Sequence, residues 1–241
     1  MKKYIVLISC AFLLAAYAAA EEQANPVLDW YKFEKEVRDN NIKRKAAVSK
    51  LGPLISQLSS FITSSHKMEQ GKWEFPMKGY DISAMKKKDY RPGAKYGPYN
   101  VKGYNFFDGN RHGGHPAYDI MILDKDQDCL DDTTGKPVEV VAMTDAVVIS
   151  FEDGWLAGSK LRGGNYIWLC NPSENKFFYY AHLKDISVKL GEFVYKGQTI
   201  GTVGRTGYTA SNIKSPTHLH LMVLEYKTKK LKSFDYYNML K

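Results

Sequence analysis

From about residue 72 onward, short stretches rich in β-branched and aromatic residues alternate with clusters of Gly, Pro, Asn and Asp. VEVVAM (138–143), AVVISF (146–151), NYIWLC (165–170) and KFFYYAHL (176–183) are examples. Each is too short, and too soon interrupted, to lay an apolar stripe along a helix. Each is long enough to be a strand that returns through a tight turn. The spacing therefore predicts a mainly β domain of antiparallel strands.

The segment before it reads differently. Residues 26–65 are predicted to be helical, with Gly52-Pro53 as punctuation and Pro53 at the first position of a second helix. After that break Leu54, Ile55, Leu58, Phe61 and Ile62 recur at helical spacing and form one apolar stripe. The first twenty residues, MKKYIVLISCAFLLAAYAAA, combine Lys2 and Lys3 with an apolar run and the small residues Ala18 to Ala20. That is the pattern of a signal peptide cleaved before Glu21. The expected organisation is a signal peptide over 1–20, a small helical segment over 21–71 and the β domain over 72–241. The chain is thereby expected to be exported, to a periplasm or cell envelope. LISC, ending at Cys10, offers lipoprotein anchoring as a second reading, but the apolar run continues past it.

Removal of the leader takes Cys10 with it and leaves Cys129 and Cys170. An even count in an exported chain predicts a disulfide between them. It would close a loop of about 40 residues, worth roughly 4 kcal/mol in the chain-entropy account. The net charge of +8 is concentrated early: residues 29–100 hold 15 Lys and Arg against 8 Asp and Glu, Lys86, Lys87 and Lys88 among them. Such an excess suits an anionic envelope surface. Nucleic acid is not expected as a partner of an exported chain.

Two histidines stand one residue apart in SPTHLHLMV (215–223). On a strand His218 and His220 project from one face, while Leu219, Leu221 and Val223 project from the other, the expected buried side. GGHPAYDIMIL (113–123) places His115 four residues before Asp119, which begins an apolar run. His115, Asp119 and one histidine of the pair make a three-ligand set of the kind that holds a catalytic zinc. His182, at the end of FFYYAHL, is a candidate for the opposite wall. His112 and His66 are read as bystanders. Asp124, Asp126 and Asp128 alternate as in a calcium loop, without the glycine and glutamate an EF-hand loop requires.

Taken in order, H-x-x-x-D at His115 and Asp119, the histidine of YAHL and H-x-H at His218 and His220 resemble the lysostaphin/LytM-type zinc endopeptidases. The text between them, including GKPVEVVAMTDAVVIS and VKLGEFVYKGQTIGTVGRTG, is similar as well, so the resemblance covers roughly 105–225. The glycine-turn segment 187–207 also resembles half of a biotinyl/lipoyl-type domain, a reading that would need a modified lysine and a cytoplasmic partner. The peptidase resemblance implies a two-sheet antiparallel duplicated-hybrid-motif fold with a groove holding one zinc per chain. His115, Asp119 and His220 would be the ligands, and His182 and His218 the catalytic pair. Peptidoglycan would be the substrate, cut in its stem peptides or cross-bridges. A non-catalytic wall-binding or amidase-regulating relative is the alternative, and a secreted bacteriolysin is a third reading. Two departures from the family pattern stand out: Ala117 replaces a frequent glycine in the first motif, and TGYTASNIKSPTHLH makes a longer turn before H-x-H. In some relatives an upstream asparagine plugs the metal, and Asn100, Asn105 and Asn110 are candidates here.

Overall fold

The computed structural model describes residues 25–85 and 99–241; the leader with Cys10, and Lys86 to Lys88, lie outside these. Helix α1, Pro26–Arg38, starts with proline at its first turn, and the Asn25 side chain accepts from the backbone N–H of Val27 and Leu28. Helix α2, Arg44–Ser65, is longer than the proline punctuation predicted, because it runs straight through Pro53. The chain turns earlier, at 39–43. A proline inside a helix costs about 3 kcal/mol. Here Ala47, Leu51, Ile55, Leu58 and Ile62 bury one stripe on both sides of it, which outweighs that cost. Phe61, expected in the stripe, is 43% exposed. Gly52 packs closely under Tyr226: a Cβ there would lie 3.0 Å from the Tyr226 hydroxyl, which would have to shift slightly. Among the described residues no helix is long and apolar enough to cross a membrane.

The rest is antiparallel β structure, as the alternating segments predicted. The strands are β1 (Ala117–Met121), β2 (Glu139–Val141), β3 (Ala146–Glu152), β4 (Asn165–Asn171), β5 (Lys176–Ile186), β6 (Phe193–Val194), β7 (Thr199–Val203), β8 (His218–Lys227) and β9 (Lys230–Ser233). They hydrogen-bond in the order β1-β8-β5-β4-β3-β6, with β9 on the far half of β8. The last residues of β5 leave this layer to pair with β7, which also pairs with β2. The two layers are therefore one hydrogen-bonded network that branches at β5.

Both faces of the main layer are buried, although β8 was expected to have only one buried side. Leu219, Leu221 and Val223 pack behind it with Tyr118, Ile120, Phe178 and Tyr180. In front, Met222 and Leu224 pack with Trp168 and Phe177 beneath Trp30, Phe33 and Leu51 of the helices. The helices thus cover one end of the front face and leave the other end, with His218 and His220, open to a groove. Polar contacts fasten helix α1 to the sheet: the Ser150 hydroxyl donates to buried Glu34 at 2.7 Å, and Arg38 Nη1 meets Glu152 at 2.6 Å. Trp30 is fully buried, its ring stacked on Phe177 at a centroid distance of 5.3 Å. Trp30→Ala should lower the unfolding free energy of the whole chain by about 3–5 kcal/mol, measured by denaturant titration with one transition. A separate early loss of helix would contradict the shared core.

The predicted disulfide is not formed: Cys129 and Cys170 are both free. Cys170 lies on β4 opposite Val147 and Phe177, with its side chain in the core beneath the helices. Cys129 sits in the 124–132 loop, which is tied to Thr217 at the root of β8. The two are at opposite ends of the sheet. Burial pushes both thiols up, so both stay protonated at neutral pH.

Candidate active site

His220 occupies the centre of the open end because β8 lies between β1 and β5. Asp119 is its register partner on one side and Ala181 on the other. Facing residues on adjacent antiparallel strands have Cβ atoms about 4.5–5.5 Å apart, so the imidazole and the carboxylate are brought together by pairing alone. His115 arrives from the loop before β1. That loop is held by reciprocal backbone hydrogen bonds with Asn100, at 2.6 and 2.8 Å.

His182 reaches the groove by a different route. Strict alternation along β5 would place it with Phe178 and Tyr180, in the rear core. Instead the register slips, with Tyr166 opposite Ala181 and Asn165 opposite Leu183, so His182 is an extra residue. It takes a left-handed φ of 65°. Its Nδ1 lies 2.8 Å from the Thr206 carbonyl. Gly207 permits this approach, since a Cβ there would stand 2.4 Å from the Arg162 carbonyl and 2.8 Å from His182 Nδ1. His218 is fixed in the same manner, with Nδ1 2.7 Å from the Pro216 carbonyl.

All five residues selected from the sequence line one groove of about 640 Å³. Three of them converge further. His220 Nδ1 is 2.9 Å from Asp119 Oδ1, His115 Nε2 is 3.1 Å from His220 Nδ1, and His115 Nε2 is 3.2 Å from Asp119 Oδ1. For bonds of 2.0–2.1 Å, a tetrahedral zinc site has ligand–ligand edges of about 3.3 Å, so this triangle approximates one face of such a site. Three potential donor atoms this close together form a set that one cation can share. The donor set fits a metal ion, and all three residues line the groove. His218 Nε2 is farther out, 3.8 Å from Asp119 Oδ1.

The electrostatics agree with that arrangement. Burial pushes His220 down to about 4, so its ring is neutral at pH 7 with a lone pair to offer. Burial, reinforced by His218 and His220, holds His182 well below the usual histidine range. Burial alone would raise Asp119, but the surrounding histidines, His218 and His115 first, hold it well below the usual carboxylate range.

Asp124, Asp126 and Asp128 also lie close together, but Asp124 is already engaged. Its carboxylate accepts from the backbone N–H of Asp128 and Cys129 and from the Thr217 hydroxyl, and so braces the residue before His218. Asn100, Asn105 and Asn110 do not line the groove. Their side chains serve the backbone of Lys102, Phe107 and Arg162 respectively. His112, read as a bystander, lines the groove, and so do Arg162, Tyr179, Tyr208 and Lys214, which sequence reasoning passed over. Tyr179 could have been found, because it is two residues from Ala181 on the same strand face; the others sit on loops.

Residues 130–232 match peptidase family M23; the matched segment includes His182, His218 and His220 and begins after Asp119. Lysostaphin of Staphylococcus simulans is 30% identical over 141 residues, which are 58% of this chain and 23% of lysostaphin. The glycyl-glycine endopeptidase ALE-1 of Staphylococcus capitis is 31% identical over 132 residues, 55% of this chain and 28% of ALE-1. The chain thus spans about a quarter of the length of these relatives. Among solved structures, the catalytic domain of the antimicrobial peptidase lysostaphin from Staphylococcus simulans is 28% identical. That alignment covers 65% of this chain and 96% of that one, with a TM-score of 0.40.

Proposed function

We propose that this chain is an exported zinc endopeptidase of the lysostaphin/LytM type that hydrolyses peptide bonds in peptidoglycan stems or cross-bridges, a reading supported by its match to peptidase family M23 and its similarity to lysostaphin and ALE-1. The observation that carries the reading is the triangle of His115, Asp119 and His220 at the floor of a groove that His182 and His218 also line. One zinc held there would lower the pKa of bound water to about 7 and polarise the scissile carbonyl.

The remaining chemistry belongs to the side chains. With Nδ1–H donated to the Pro216 carbonyl, His218 directs the lone pair of Nε2 toward the site, where it takes a proton from the attacking water. His182 is fixed the same way by Thr206, so its Nε2 also carries a lone pair. It therefore enters the reaction as an acceptor, and donates only after it has taken up a proton. Whichever ring takes the proton becomes an imidazolium, which stabilises the oxyanion and then returns the proton to the leaving amine. Digestion of purified sacculi, with and without a chelator and read by mass spectrometry, tests the proposal. New amino termini within stems or bridges, lost on chelation and restored by zinc, are expected. Intact sacculi would favour the non-catalytic reading.

The basic first third supports a further part of the reading, adhesion to an anionic envelope. The exposed Lys32, Lys43 and Lys45 lie on or beside the helices. Since the helices share the core with the sheet, the test is charge reversal and not truncation. Replacing all three by Glu should weaken sacculus binding several-fold at low salt and flatten its salt dependence. Binding by the unaltered chain that ignores salt would sink the idea.

A further inference from the structure

Apart from the candidate ligand Asp119, no carboxylate among the described residues lines the groove, yet two cations do, Arg162 and Lys214. Arg162 is half-buried, and no carboxylate lies within ion-pair distance of it among the described residues. It is nevertheless fixed in place. Its Nη1 donates to the His112 carbonyl at 2.6 Å, and its backbone N–H donates to the Asn110 side chain at 2.8 Å. That uses one guanidinium donor and leaves the rest of the fork without an acceptor among the described residues. A preset, partly desolvated guanidinium facing a cavity is a site for a planar anion, and carboxylate is the one whose geometry matches the fork.

Lys214 belongs to the long turn before H-x-H. That turn is held rigid from beneath: Arg205 donates to the carbonyls of Ser215 at 2.6 Å and Asn212 at 2.9 Å, and Gln127 donates to that of Ile213 at 2.9 Å. The loop thus holds an exposed ammonium at the groove's rim. With Asp119 set aside as a candidate metal ligand, the remaining charged side chains lining the groove, Arg162 and Lys214, are both cationic.

We propose that the groove selects peptides bearing a free carboxylate within a residue or two of the scissile bond. Arg162 binds that carboxylate and Lys214 attracts it at the rim. In wall material this favours the acidic stem peptide over an uncharged glycine bridge. The inference rests on the reading of the groove as a peptidase site.

Three probes separate the possibilities: a cross-linked stem-peptide dimer with its carboxylates free, the same dimer amidated, and capped pentaglycine. Affinity is measured by calorimetry on the zinc-loaded full chain carrying His218→Ala, and turnover on the full chain without that change. The free-carboxylate dimer should bind at least about tenfold more tightly than either other probe, the scale of one charge-assisted hydrogen bond. Added salt should erode the preference. Arg162→Gln should reduce it to about twofold or less, and Lys214→Gln should reduce it in part. Lys214 is exposed, so its variant stays informative if Arg162→Gln disturbs the His112 loop. Equal affinity for free and amidated dimers, a preference unchanged in both variants, or no binding of any probe overturns the proposal. Equal cleavage of all three probes also overturns it while leaving the peptidase reading intact. Selective binding without cleavage supports the selection and sinks the peptidase reading.

Discussion

His220→Ala should give a folded chain that holds far less than one zinc and digests sacculi no faster than background. The argument is geometric. His220 Nδ1 is one corner of the donor triangle, 2.9 Å from Asp119 and 3.1 Å from His115. Its loss leaves two protein ligands, fewer than the three a catalytic zinc site uses. The fold should survive, because β8 keeps its backbone ladder to β1 and β5 and its apolar residues on both faces. The cost to stability is about 1–3 kcal/mol, since Asp119 is buried and loses one hydrogen-bond partner. Turnover should fall by more than about 10⁴-fold, because charge stabilisation and nucleophile activation are lost together. Metal content by atomic absorption, far-UV circular dichroism and a digestion assay on one preparation check all three parts. A variant that keeps a full zinc complement would remove His220 from the ligand set.

What could be read in advance followed the local physics. Strand alternation placed His218 and His220 on one face, and that holds because β8 is regular at its start. The antiparallel architecture followed from short β-rich segments between turns. Where tertiary packing overrides local preference, the sequence misled. Pro53 sits inside a helix because the apolar stripe on either side of it is buried. The front of β8 is covered at Met222 and Leu224 because a distant segment, the N-terminal helices, docks there. The cysteine count suggested a bridge that the sheet keeps apart by placing Cys170 in the core and Cys129 in a loop at the other end. His182 faces the groove only because the register of β5 slips by one residue, an event set by its pairing with β4 and by the close approach of Gly207. Arg162 and Lys214 were invisible for a related reason. Their role depends on which loop carbonyls are within reach, and nothing in their immediate sequence specifies that.

His218→Ala should separate catalysis from metal binding. His218 is two residues from His220 on the same face, so a simple proximity argument would give both the same function. The distances divide them. His218 Nε2 is 3.8 Å from Asp119 Oδ1, outside the triangle, and its ring is anchored through Nδ1 to the Pro216 carbonyl of its own chain segment. Removing it leaves His115, Asp119 and His220 in place, so the variant should retain close to one zinc per chain. Turnover should fall about 10²–10⁴-fold, the range for loss of a positioned general base. Substrate affinity should change much less, because the other residues lining the groove stay in place. His182 presents the same lone pair from the neighbouring strand β5, which sets a second expectation. His182→Ala should keep its metal too, and its pH–rate profile should differ from that of His218→Ala if one of the two rings dominates proton uptake. Identical profiles with equal losses would mean that the two act as one unit, and the double variant should then fall little below either single one. If His218→Ala loses the metal while His220→Ala keeps it, the two histidines have been assigned in reverse.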